Sequence, residues 1–252
     1  MRWFRFVALS GALALAAAGC ADLTVPNENS PERDRALAEP GDVESLIGGS
    51  FRTWWIAQKN YYGPGLALSV MAWEHSSSHG NARMWLSSRM PREPIPVHPS
   101  EPDKEVIETG WYNPYRAVVA ATDGIRAMDA GLEMPGGNDR ARAWARFVQG
   151  LSHGTIALLY DRGFIMDETV DVDNESPELV PYSEVMEAAL GYLDDALSIA
   201  ESSTFQIPSA WINGLELDNE DLARIIHSYK ARFMAQVART PAERAAVDWQ
   251  KV

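Results

Sequence analysis

"RARAWARFVQGLSHGTIALLYDRG", residues 140–163, is the stretch from which the fold class follows. Trp144, Phe147, Val148, Leu151, Leu158 and Leu159 recur at helical spacing, which places them along one side of a helix about four turns long. Asn138, just ahead of the stretch, introduces it. Gly150 and Gly154 sit inside the same run, and glycine in a helix interior is about 1 kcal/mol less favourable than alanine. They belong there only if another element packs close against them.

The same periodicity continues on both sides. Upstream, Pro114 near a helix start introduces Tyr115, Val118, Val119, Ile125 and Met128, with Thr122 on the same stripe, and Gly131 stops the run. Further upstream, Asp42 can cap a helix carrying Val43, Leu46, Ile47, Phe51, Trp54 and Trp55. Downstream, Ser183 introduces Val185, Met186, Ala189, Leu190, Leu193 and Leu197, and Asn219 introduces Leu222, Ile225, Ile226, Tyr229, Phe233 and Val237. Strand signals are few. The expectation is an all-α domain over residues 41–252 in which 112–130 pairs with 139–161 and 183–200 with 219–239. Helix pairs in tandem suggest a tetratricopeptide-like array, where each unit buries its face against the next. Leu158, Leu193 and Phe233 should be buried in it, while 162–182 and 201–218 read as irregular loop inserts.

The chain opens differently. Arg2 and Arg5 precede an apolar run at 6–18, and Ala17, Ala18 and Gly19 supply the small residues a signal peptidase needs. Residues 1–19 read as a signal peptide, too short and too rich in alanine for a spanning helix. Ala-Ala-Gly-Cys is similar to a bacterial lipobox, with Cys20 as the lipidated N-terminus of the mature chain; the alternative is an ordinary signal peptide with a chance cysteine at its boundary. Cys20 is the single cysteine, so the mature chain forms no intramolecular disulfide. Two or more acyl chains on it anchor a protein stably, at about 0.8 kcal/mol per buried CH₂. Residues 20–40, with Pro26, Asn27, Asn29 and Pro31, lack periodicity and read as a lipidated N-terminus and tether.

A net charge of −13 argues against a nucleic-acid partner, whose phosphates need a basic face. Nine tryptophans are a rich supply of aromatic surface, and core packing is their default use. In "WEHSSSHGNARMW", residues 73–85, His75 and His79 lie four apart beside Glu74, a spacing that on a helix could hold zinc. Three serines and Gly80 disfavour helix there, and neither HExxH order nor a third ligand is evident, so no metal is expected. The same segment mixes flat apolar surfaces with hydrogen-bonding side chains, as a sugar requires. Trp73, Asn81, Arg83 and Trp85 are therefore the candidate ligand-binding residues, the alternative being a loop whose tryptophans plug the core. "MDETVDVDNESPE", residues 166–178, gathers Asp167, Glu168, Asp171, Asp173 and Glu175. It could hold calcium, but the glycine of an EF-hand loop is absent and Pro177 intrudes, so it reads as a solvated acidic loop. No GxSxG elbow occurs and nothing orders serine, histidine and aspartate as a triad.

The succession "CADLTVPNENSPERDRALAEPGDVESLIGGSFRTWW" (20–55), the 140–163 stretch, "PYSEVMEAALGYLDDALSIAE" (181–201) and "LARIIHSYKARFMAQVAR" (222–239) resembles the SusD/RagB-type outer-membrane lipoproteins. The resemblance covers nearly the whole chain in order, and no single motif carries it. It implies a helical fold with tetratricopeptide-like units, no cofactor and no catalytic chemistry. It also implies a lipid anchor at the cell surface, a SusC-like TonB-dependent transporter as partner, and oligosaccharides or peptides as ligands. Ligand sites vary within the family, so no site residue carries over by position. Family members run longer, and the chain stops at "VDWQKV" in a helix-compatible stretch, which suggests an N-terminal fragment. The alternative function is a membrane-anchored helical-repeat scaffold that binds another protein.

Overall fold

The computed structural model describes residues 33–78, 80–91, 98, 100–101, 104–171 and 174–252. The signal peptide, Cys20 and most of the tether lie outside them. The chain divides into Met1–Ala36 and Leu37–Val252. Of the first unit, Arg33–Ala36 is described and forms one helical turn, α1, inside the expected tether.

The second unit is mostly helical: α2 (Pro40–Lys59), α3 (Pro64–Met71), α4 (Met84–Ser88), α5 (Glu105–Asp129), α6 (Asn138–Leu159), α7 (Tyr182–Ser202), α8 (Asn219–Gln236) and α9 (Pro241–Ala246). Helix α6 is central. Every residue from Phe147 to Ala157 is buried, so the helix is enclosed on all sides rather than along one stripe. Its glycines explain how. A Cβ on Gly150 would lie 2.6 Å from Leu193 Cγ of α7, and one on Gly154 2.5 Å from Phe233 Cζ of α8. Both neighbours approach the α6 backbone itself, which only a residue without a side chain permits.

Helix α5 packs on α6, α6 on α7 and α7 on α8, while α2 lies across α5 and α6. A Cβ on Gly124 of α5 would collide with Ile47 of α2, the same device at a second crossing. Leu193 and Phe233 are buried as expected, but Leu158 is partly exposed. The expected inserts are not wholly irregular. Each is pinched at its base by a two-residue antiparallel ladder: β1 (Arg162–Gly163) with β2 (Val180–Pro181), and β3 (Gln206–Ile207) with β4 (Leu217–Asp218).

Local signals set the boundaries. Pro40, Pro64 and Pro241 occupy first turns, where no intrahelical N–H is needed. Asp218 and Asp221 form a capping box on α8, as Thr240 and Glu243 do on α9. Gly131, at φ +97°, ends α5 in the left-handed conformation. Arg239 donates to the carbonyls of Ala157 (2.8 Å) and Tyr160 (2.7 Å), so the free C-terminal end of α6 meets a cation.

Pro114 does not start α5. The helix begins at Glu105 and carries the proline buried in its interior, although proline there removes a hydrogen bond and typically costs about 3 kcal/mol. Packing on the preceding turns offsets this. Trp111 lies edge-on to Tyr115 and to Tyr160 at 5.0 Å each, and Tyr160 Oη donates to the Ile107 carbonyl at 2.5 Å. The segment between α2 and α5 holds α3, a 3-10 turn at Asn81–Arg83 and α4. Ala67, Val70 and Met84 bury themselves there with Val106 of α5 as a small second core.

Candidate functional site

The C-terminal half of α2 and the middle of α8 face each other across a cleft. Arg52, Trp55, Ile56 and Lys59 line one wall at successive turns, and Ile225, Tyr229, Arg232 and Gln236 line the other. Two cavities, about 520 and 760 Å³, adjoin at Trp55 and Tyr229, which line both. The smaller is closed by Trp211, Ile212, Asn213 and Leu215 after β3, and the larger by Leu66, Leu68 and Ser69 of α3 with Glu74 and His75. Thr155 and Leu158 of α6 also line the larger one, so the exposed part of Leu158 borders the cleft rather than a helix seam.

The walls stand on a packed aromatic base. Trp54 is buried, and its indole Nε1 donates to Thr155 Oγ1 at 2.9 Å, whose hydroxyl donates to the Leu151 carbonyl at 2.8 Å. Tyr229 meets Trp54 edge-on at 5.8 Å. Phe51 stacks on Trp55 at 6.2 Å and on Phe147 of α6 at the same distance. Trp55 itself is 42% exposed, with the Lys59 ammonium 5.3 Å from its ring centre. Such an aromatic, held by its neighbours and left open to solvent, is a ready stacking surface. Gln58 lines the larger cavity, and its Nε2 is buried without a hydrogen-bond partner among the described residues. An unmet amide donor costs about 1–3 kcal/mol, which an arriving acceptor would recover.

The expected site residues fall elsewhere. Trp73 is 64% exposed and donates from Nε1 to the Ser88 carbonyl at 3.1 Å. Trp85 is 53% exposed with the Arg89 guanidinium 4.6 Å from its ring centre. Neither plugs the core. Asn81 is exposed at the start of the 3-10 turn. Arg83 is a correction: it is 5% exposed and pairs with Glu101 at 3.0 Å, so its guanidinium is turned into the fold and is not an open surface donor. From this stretch the cleft takes Glu74 and His75 instead. His79 lies outside the described residues. Among the described residues no three histidine, cysteine, aspartate or glutamate side chains come together to hold a metal ion.

Trp55 and Tyr229 were legible in outline only, as members of core stripes. The missed signal is the doublet Trp54-Trp55: neighbours on a helix point about 100° apart, so both cannot face one core.

The acidic loop after β1 is not simply solvated. Glu168 pairs with Arg146 through two contacts, at 2.5 and 3.1 Å, and Arg126 donates to the carbonyls of Glu168 and Val170. Burial pushes the Asp167 carboxyl up, but hydrogen bonds from Thr169 and Tyr192 and the Arg146 charge outweigh it and leave the group below its ordinary value. Behind the loop, His153 is fully buried. Its Nδ1 donates to the Gln149 carbonyl at 2.8 Å, and its Nε2 accepts from the Met166 amide at 3.1 Å. Burial pushes the imidazole down to about 4. With both nitrogens engaged and no solvent access, His153 is a strut for the loop and not an acid–base group.

No protein-family model, no curated protein and no solved structure matches the chain.

Proposed function

We propose that the chain is a lipid-anchored binding protein of the SusD/RagB type, which captures glycans or other polymer fragments at the outer surface for a TonB-dependent outer-membrane transporter. The observation that carries the reading is the cleft between α2 and α8, with Trp55 exposed on a fixed aromatic base and Gln58 holding an unmet donor inside it. Open aromatic surface beside amides suits a ligand with C–H faces and many hydroxyls. The order of signal peptide, Cys20, tether and helices supports the family resemblance. The successive packing of α5 to α8 is compatible with tetratricopeptide-like pairs.

The ligand belongs in the cleft rather than on Trp73, Asn81, Arg83 and Trp85. Titration of the mature full chain against an oligosaccharide panel tests this. Trp55→Ala should weaken binding by about 1–3 kcal/mol with little change in melting temperature, whereas Trp85→Ala should leave affinity unaltered. A panel in which nothing binds, with the transporter still retained on the immobilised protein, would favour the scaffold reading instead.

A further inference from the structure

Among the described residues, many cations are tied to carboxylates. Arg83 pairs with Glu101, Arg140 with Glu44, Arg142 with Asp129, Arg146 with Glu168, Arg239 with Asp161 and Lys230 with Asp194. With 35 aspartates and glutamates against 22 lysines and arginines, such pairing is what the composition favours. Arg52, Lys59 and Arg232 are among the described cations without such a partner. All three line the cleft, and none is paired with a carboxylate among the described residues. The cleft wall has Glu74 as its one described carboxylate.

We infer that the cleft takes an oligosaccharide bearing carboxylates, a glycan rich in uronic acids. The inference rests on the glycan-binding reading above and specifies its substrate class. Arg52 and Lys59 lie two turns apart on α2, about 10 Å along the axis, and Arg232 stands on the opposite wall. Positive points therefore flank the groove, two on one wall and one on the other, as a ligand with repeated negative groups requires. Trp55 and Tyr229 between them offer ring faces for the sugar, and Gln58 an amide donor for a hydroxyl or carboxylate oxygen.

The charge balance separates an acidic ligand from a neutral one. Lys59 lies over the Trp55 ring and Arg232 donates to Gln236 Oε1 at 3.0 Å, but neither contact supplies a counter-charge, so a neutral glycan covering these groups would strip water from the cations without compensating their charge, which is unfavourable. An acidic glycan supplies the missing partner. A chain of net charge −13 repels anions in general, so a groove with an excess of cations is the place where one can be drawn in, and low-dielectric walls focus that field.

The test is calorimetric titration of the full lipidated chain in a neutral detergent, at low salt. The probes are tetrasaccharides of galacturonate, glucuronate and mannuronate, each alongside its methyl ester, with a tetraglutamate peptide as a non-sugar polyanion. At least one acid should bind about tenfold more tightly than its ester, the sum of a few exposed ion pairs. That ratio should collapse in about 0.5 M salt. The double variant Lys59→Gln with Arg232→Gln should lose most of the preference for acid over ester, and a ratio unchanged from the parent chain overturns the inference. Equal binding of acids and esters overturns the inference and leaves the glycan reading standing. No binding by any of these tetrasaccharides, acid or ester, overturns the inference and returns the glycan reading to its own oligosaccharide panel. Tetraglutamate binding as tightly as the best uronate overturns the sugar assignment.

Discussion

Gly154 on α6 and Gly191 on α7 are both helix-interior glycines, yet the same substitution to alanine should move stability in opposite directions. At Gly191 nothing lies within 4 Å of the position a Cβ would take, so Gly191→Ala gains helix propensity alone, about 1 kcal/mol. At Gly154 the new methyl would sit 2.5 Å from Phe233 Cζ and 2.6 Å from Cδ2, inside the 3.0 Å that real Cβ contacts respect. Phe233 cannot easily withdraw: it is almost fully buried, with the Tyr229 ring 5.9 Å away. Forcing a methyl into such a site costs about 3 kcal/mol, the upper part of the usual overpacking range. Set against the same propensity gain, this leaves Gly154→Ala destabilised by about 2 kcal/mol. Guanidinium unfolding followed by tryptophan fluorescence measures both variants. Adding Phe233→Leu to Gly154→Ala should recover part of the loss, since the two changes share one contact. If Gly154→Ala proves as stable as Gly191→Ala, the close approach of α8 to α6 is wrong.

Acid should act through His153. Its folded pKa of about 4 lies below the ordinary 6.5, so the stability tied to the neutral ring is present above about 6.5 and is lost as the pH falls toward 4. The loss is about 3 kcal/mol, and unfolding free energies that stay level across that window would contradict the buried strut. Leu193→Ala should cost about 2–5 kcal/mol in the same unfolding assay, and Leu158→Ala distinctly less because Leu158 borders the cleft; equal losses would count against that placement. Cys20→Ser should leave an uncleaved or unanchored product, because serine cannot form the thioether, and mass spectrometry finding an unmodified Cys20 in the mature protein would end the lipoprotein reading.

Helices α2, α7 and α8 could be read in the sequence because one-sided burial writes a periodic stripe. Helix α6 was recognised, but its enclosure was not, since Gln149, His153 and Thr155 are polar residues buried by hydrogen bonds that no spacing rule reveals. The first turns of α5 were hidden behind Pro114, whose local preference is overridden by Trp111, Tyr115 and Tyr160. Helices α3 and α4, with eight and five residues, are too short for periodicity to show. The cleft was the least legible part. Its residues share stripes with the core, and its shape depends on α2 meeting α8. Arg83 illustrates the converse error, because a polar residue in a serine-rich stretch looks exposed until Glu101 is brought beside it.

The two walls of the cleft come from segments remote in the chain, with α6 beneath them. A ligand touching both would therefore act as a clasp. Any excursion in which α8 lifts from the body would have to release the ligand first, so each bound molecule would raise the free energy of that opening by RT ln(1 + [L]/Kd). Amide exchange in α8 would then slow with ligand concentration while that of the α5–α6 crossing stayed the same. Occupancy and mechanical integrity of the C-terminal helix would be one equilibrium, read from either side.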